Sequence, residues 1–127
     1  MALGAATVAP AGGERFPGSL RLRRRKEFLR IQRLGIKVSS DPLLALALQN
    51  SRGVTRLGIT ISSKVGNSVV RNQIRRRLRE IFRTHRELLP RGIDLVLIAT
   101  PKANAAAFSE LSGAYCQLAD KLRRRFQ

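Results

Sequence analysis

The chain has 127 residues, 43% apolar and 5% aromatic with no Trp, which suits one compact domain with an aliphatic core. Its 25 Lys and Arg against 8 Asp and Glu give a net charge of +17, an excess that repels itself unless a polyanion neutralises it. A single Cys116 excludes an internal disulfide and, with the lone His85, a Cys/His zinc site; no stretch has transmembrane length or the pattern of a secretory signal peptide, so a reducing, cytoplasmic setting is expected.

Residues 1–19, with Pro10, Gly12, Gly13, Pro17 and Gly18, predict a disordered low-complexity extension, and residues 20–127 a single domain. The segment 20–34 is strongly basic, with Phe28, Leu29, Ile31 and Leu34 at roughly helical intervals before Gly35, and predicts a short first helix. Residues 36–40 are β-prone, Asp41 and Pro42 signal a turn, and the run from Leu43 to Leu48 predicts a strand covered on both faces. After a turn at 50–53, Leu57, Ile59 and Ile61 alternate with Gly58, Thr60 and Ser62, the period of a strand with one face in the core.

Gly66, Asn67 and Ser68 break that period and offer an N-cap to a long helix ending near Leu88, with Pro90 and Gly92 beyond it. A continuous apolar strand at 93–99 follows, and Phe108, Leu111, Tyr115, Leu118 and Leu122 then mark a last helix at alternating three and four spacing. The order is αβββαβα, an α+β sandwich.

The long helix contains VVRNQIRRRLREIFRTHR, residues 69–86, and its two sides differ. At about 100° per residue, Val70, Ile74, Leu78, Ile81 and Phe82 gather on a side that would bury against the sheet. Arg71, Asn72, Arg75, Arg76, Arg79, Arg83 and Arg86 gather on the other. Like charges at this spacing destabilise an isolated helix by a few tenths of a kcal/mol per pair, roughly, which an anionic partner would offset. The bland reading is a solvated face, but such faces mix signs and only Glu80 interrupts this one. Asn72 supplies an amide able to orient a guanidinium or to contact a base or ribose hydroxyl.

Before the helix, Lys64, Gly66 and Asn67 lead into an N-terminus whose N–H groups favour anions, although a plain strand-to-helix connection explains the same residues. Arg21, Arg23, Arg24, Arg25 and Lys26, followed by Phe28, combine charge with a stacking surface for a single strand, unless Phe28 is core. Arg123, Arg124 and Arg125 fit the C-terminal end of a helix dipole, His85 reads as a partly buried structural residue, and Cys116 as an incidental thiol. The carboxylates Glu14, Glu27, Asp41, Glu80, Glu87, Asp94, Glu110 and Asp120 are scattered singly in sequence, with no close pair to suggest a two-metal phosphodiester site. A metal-free nuclease would want paired histidines or a His with a Lys, so the residues describe a protein that binds while something else cuts.

The stretch GITISSKVGNSVVRNQIRRRLREIFR resembles the signature region of the bacterial ribonuclease P protein family, whose Arg-Asn, two residues, two basics, two residues, Arg pattern falls on Arg71, Asn72, Arg75, Arg76 and Arg79. The resemblance implies a ribosomal protein S5 domain 2-like sandwich with a left-handed βαβ crossover around the arginine helix, where the ordinary expectation is right-handed. It implies a subunit that binds a large catalytic RNA and, with it, removes the 5′ leader of precursor tRNA, broadening the range of substrates and needing no protein partner and no membrane. Mg²⁺ would be held by RNA and substrate. By the same resemblance Lys64, Asn67, Arg71, Asn72, Arg75, Arg76, Arg79 and Arg83 would contact the catalytic RNA, while Phe28 with Arg24 and Arg25 would form a cleft for the leader. Two aromatics common in the family are replaced here by Gln32 and Leu46, which implies weaker leader stacking.

Two other classes fit the charge. A ribosomal protein or general RNA chaperone would bind many structured RNAs alike, and a basic amphipathic protein could act at membranes, although the apolar side of the arginine helix has better use against the strands.

Overall fold

The structure, a computed structural model, describes residues 20–22 and 24–126, so the extension expected at 1–19 lies outside the described residues. Its elements are α1 (Arg25–Leu34), β1 (Ile36–Ser40), β2 (Leu43–Gln49), β3 (Arg56–Ile61), α2 (Ser68–Thr84), β4 (Ile93–Ala99) and α3 (Phe108–Arg125), with short 3-10 turns at Ser63–Val65, Arg86–Leu88 and Pro101–Ala105. This is the αβββαβα order read from the sequence. The strands form one mixed sheet in the order β1-β2-β4-β3: β1/β2 and β2/β4 are antiparallel, and β3/β4 are parallel with α2 in the connection between them.

Alternation explains the layers. Leu43, Ala45 and Ala47 of β2 and Leu95, Leu97 and Ala99 of β4 point to one face, where they join Ile74, Leu78, Ile81 and Phe82 of α2 and Leu111, Tyr115, Leu118 and Leu122 of α3. Val96 points to the other face, packing with Leu22 and Ile31 and with the half-buried Phe28, Leu46, Leu48 and Ile98. Helices thus cover both sides of β2 and β4, which is why these strands, Gln49 and Asp94 at their ends apart, are apolar on both faces and not alternating.

Two boundaries and one buried face differ from the sequence reading. The first helix begins at Arg25, not near Leu20: Arg21 forms a parallel bridge to Leu57, Leu22 N donates to the Leu57 carbonyl at 2.9 Å, and Arg24 is the N-cap. Extending the helix backwards would stack more cations on its positive end, whereas an extended segment buries Leu20 and Leu22 beside β3. Within α1 only Ile31 is buried; Leu29 and Leu34 are 49% and 53% exposed, so the apolar spacing overstated the buried face. The long helix stops at Thr84, whose hydroxyl donates back to the Glu80 carbonyl at 3.0 Å, and His85 closes it as the C-cap.

Candidate nucleic-acid interface

A 3-10 turn and a cap fix where α2 starts. Ser62 Oγ accepts from Lys64 N at 3.2 Å, Asn67 Oδ1 accepts from Val70 N at 3.0 Å, and Arg71 Nε donates to the Gly66 carbonyl at 3.2 Å. Asn67 and Arg71 therefore shape the loop that the sequence assigned to anion contact, while Lys64 stands exposed beside it. A Cβ on Gly66 would come within 3.0 Å of Asn104 Nδ2 and Val70 Cγ1, so this residue is small because Asn104, which donates to the Val65 carbonyl at 2.6 Å, seals the turn.

Along α2 the buried Ile74, Leu78, Ile81 and Phe82 hold one side to the core and leave the arginines on the other, as their periodicity requires. The guanidiniums are not equivalent. Arg76 is exposed and makes no ion pair among the described residues. Arg75 is oriented by Asn72, whose Oδ1 accepts from Nη1 at 2.9 Å, one of the roles the sequence left open for that amide. Arg83 forks onto Glu80, with Nε 3.2 Å from Oε1 and Nη2 2.6 Å from Oε2, and so presents a reduced charge.

Arg86 departs from the expected face. It lies past the helix in the following 3-10 turn, with its guanidinium carbon 5.9 Å from the centre of the Phe82 ring and a buried Nη1 that has no hydrogen-bond partner. Burial pushes it down to about 8. The helix ends at Thr84, two residues before Arg86, so Arg86 does not continue the outer stripe. His85 is partly buried, its Nδ1 3.1 Å from the Ile81 carbonyl, as a structural residue would be.

Arg79 turns from the outer face toward the sheet edge. Burial, together with the nearby Arg21 and Arg75 cations, lowers its pKa. It lines a pocket of about 210 Å³ with Arg21, Phe28 and the edge strand from Leu57 to Ile59. Phe28 is half-buried, its ring laid over Gly58: a Cβ there would stand 2.6 Å from Phe28 Cζ, so only glycine admits the ring. Arginine helix and aromatic thus meet in one cleft, a proximity hidden in sequence by the 51 positions between residues 28 and 79. Arg24 and Arg25 are exposed at the start of α1 and do not line this pocket; Gln32 is exposed, and Leu46 packs with Phe28 in the small apolar cluster. Arg23 lies outside the described residues.

One cluster was not legible beforehand. Glu27 and Asp94, scattered singly in sequence, converge on Arg56, whose Nη2 is 2.8 Å from Glu27 Oε2 and 2.8 Å from Asp94 Oδ2. Arg56 is 8% exposed, and its hydrogen bond with Asp94 heads the causes that raise its pKa. Both acids are engaged by this one guanidinium, and among the described residues no group of three or more His, Cys, Asp or Glu side chains is placed to hold a metal. The donor set therefore does not fit a divalent ion. No helix among the described residues is long and apolar enough to cross a membrane.

Comparison with known proteins gives a consistent picture. The Ribonuclease P family model matches residues 16–123. The ribonuclease P protein component of Citrifermentans bemidjiense is 37% identical over 111 residues, covering 87% of this chain and 95% of that protein. That of Desulfosudis oleivorans is 42% identical over 106 residues, covering 84% and 88%. Among solved structures, the RNase P protein from Thermotoga maritima superposes with a TM-score of 0.74 at 30% identity, over 80% of this chain and 96% of that one. The Staphylococcus aureus RNase P protein gives 0.74 at 28% identity, over 85% and 98%.

Proposed function

The chain belongs to the ribonuclease P protein family, and from that premise we propose that it serves tRNA 5′ processing by laying the arginine face of α2 on the catalytic RNA and receiving the precursor leader in the cleft between Phe28 and Arg79. It is the protein subunit of a ribonucleoprotein endoribonuclease and partners the ribonuclease P RNA. The observation that carries the division of surfaces is charge: Arg71, Arg75 and Arg76 lie on the outer side of α2 while Arg79 turns into the cleft, and Glu80, the sole carboxylate of the helix, is engaged by Arg83. Such a face suits a phosphate backbone, whose condensed counterions are released on contact.

Phe28 offers a π-face to an unpaired base while Arg79 and Arg21 favour the adjoining phosphate. Arg24 and Arg25 extend positive potential to the exposed start of α1, where a 5′ extension would leave the cleft. Lys64 and Asn67 border the RNA face, and Arg83 contributes less because Glu80 already holds it. No step of hydrolysis is assigned to a side chain: Glu27 and Asp94, the acids that converge, are both engaged by Arg56, and in this reading Mg²⁺ is held by the RNA partner and the substrate.

The decisive assay is cleavage of precursor tRNA with protein, cognate RNA and Mg²⁺ each omitted in turn. Cleavage requires the RNA, and the protein lowers the substrate concentration needed; cleavage by protein alone would overturn the reading. If roughly five to eight phosphates are contacted, log affinity falls against log salt with a slope of about −3.5 to −7. Phe28→Leu is expected to lower the preference for precursor over mature tRNA, and an unchanged ratio removes Phe28 from the leader path.

A further inference from the structure

Helix α1 carries Arg25, Lys26, Arg30 and Arg33 and one carboxylate, Glu27. That carboxylate reaches away from its basic neighbours. Its Oε2 takes Arg56 Nη2 at 2.8 Å, and its Oε1 accepts a long hydrogen bond, 3.5 Å, from Arg24 N at the helix start. Arg56, at the head of β3, sits opposite Asp94 in the parallel register and is gripped in two-pronged fashion, Nε to Oδ1 at 2.9 Å and Nη2 to Oδ2 at 2.8 Å. Asp94 Oδ1 also accepts from Asn50 Nδ2 at 2.8 Å, just beyond β2. One buried guanidinium thereby ties the helix to the ends of three strands.

Stability alone does not require the third charge. Arg56 and Asp94 are already a neutral, hydrogen-bonded pair, and a second carboxylate must be desolvated for a cluster left with net charge −1. Nor is Glu27 needed to dock α1, because Ile31, 1% exposed, already anchors the helix against Leu22 and Val96. Ile31 is the only fully buried side chain of α1 and fixes how deep the helix sits; the half-buried Phe28 packs beside it but moves with the helix, so the rotation needs a further point of attachment. Glu27 supplies the second point of attachment, and the next residue is Phe28.

Rotation matters at that position more than elsewhere on α1. Phe28 lies over Gly58 with clearance so small that a Cβ would stand 2.6 Å from the ring, and turning the helix either presses the ring into β3 or lifts it out of the pocket it shares with Arg79. We infer that Glu27 is a positioning residue: through Arg56 and Asp94 it sets the rotation of α1 and so seats Phe28 for the leader. The inference rests on the leader reading above for its consequence, but not for its geometry.

The test therefore reads geometry and consequence separately, on the full chain reconstituted with its RNA. Phenylalanine at 28 is replaced by 4-fluorophenylalanine, and its fluorine resonance is followed in the parent and in Glu27→Gln, which preserves an oxygen for the helix start but removes the charge. The resonance is expected to shift and broaden, while the ratio of precursor to mature tRNA affinity falls by roughly three- to tenfold. Affinity for mature tRNA serves as the reference, since losing one negative charge strengthens any RNA contact. Combined with Phe28→Leu, Glu27→Gln should cost little more than Phe28→Leu alone.

An unmoved resonance overturns the positioning role whatever the ratio does. A moved resonance and lowered ratio, with losses that multiply independently in the double variant, also overturn it. If the resonance moves but neither Glu27→Gln nor Phe28→Leu changes the ratio, the leader reading fails, and with it the functional half of the inference. Because Arg56 and Asp94 remain paired, Glu27→Gln is expected to fold; should it not, Glu27→Asp keeps the charge, shortens the arm by a methylene and reads the same two signals.

Discussion

Arg56 and Arg76 are the same residue in opposite circumstances. Arg56 is buried at the head of β3 with Glu27 and Asp94 closed on it; Arg76 stands on the outer face of α2 with no acid of the described chain against it. The difference follows from where the few carboxylates go. Asp120 pairs with Arg123 and Arg124 inside α3, Asp41 with Lys102, and Glu110 accepts from Ala107 N at the start of α3. Acids engaged in holding the fold are unavailable to shield α2, so the charge excess is concentrated where a polyanion can reach it. The comparison teaches that an arginine count locates nothing by itself: what the fold sets opposite each guanidinium decides whether it is an internal tie or a contact for RNA.

Removing Arg56 is the harshest way to break the contrast. Arg56→Ala leaves two carboxylates facing each other at the sheet end without their cation, and breaking a buried pair in this way costs about 3–5 kcal/mol. Against a typical domain stability of roughly 5–15 kcal/mol, urea unfolding should show a large fall in midpoint. A loss under about 1 kcal/mol would place Arg56 among ordinary surface ion pairs.

The opposite region answers in binding and not in folding. Arg75→Ala with Arg76→Ala should leave the urea midpoint nearly unchanged yet flatten the log affinity against log salt slope by about one to two units, since each phosphate contact contributes roughly 0.7–0.9. An unchanged slope would mean that the catalytic RNA sits elsewhere.

The sequence made the second region readable and concealed the first. Periodicity needs only neighbours along one helix, so the division of α2 into an apolar side at Ile74, Leu78 and Ile81 and a basic side at Arg75, Arg76 and Arg79 was visible without coordinates. That β4 is covered on both faces was legible because, Asp94 apart, it is apolar from Ile93 to Ala99. Arg56, Glu27 and Asp94 are 29 and 38 positions apart, and no local pattern distinguishes acids that will converge from acids that will be solvated. The same limit hid Phe28 beside Arg79 and Gly58. It also misplaced Arg86, because the apolar run continues past Thr84 while the backbone turns there.

That residue supplies a smaller test. Arg86 is a half-buried cation with one buried nitrogen, Nη1, that has no hydrogen-bond partner, and among the described residues it makes no ion pair, so it stands between Arg56 and Arg76. It is charged at neutral pH, so the fold carries the cost of partly desolvating it, offset in part by the Phe82 ring and by the nearby Glu87. Arg86→Met keeps the length and removes the charge, and should raise stability by about 1 kcal/mol or less, seen as a modest increase in Tm. A fall in Tm would show that the guanidinium contributes more through packing than it loses through desolvation.

The gentlest change acts within α2 and has the opposite sign to the alanine pair. Glu80 is the only acid on the arginine helix, and Arg83 lies across it with both prongs. Glu80→Gln removes that negative charge while keeping an oxygen that can still accept from Arg83, so the helix should lose only a few tenths of a kcal/mol, about the worth of one such pair. The RNA face meanwhile gains one unit of positive charge and loosens its hold on the Arg83 guanidinium. If Arg83 then reaches phosphate, the salt slope steepens by up to about 0.9 and affinity at low salt rises. If affinity rises at every salt concentration with the slope unchanged, repulsion by Glu80 was the whole effect, and Arg83 belongs with Arg56 as an arginine whose work is done inside the protein.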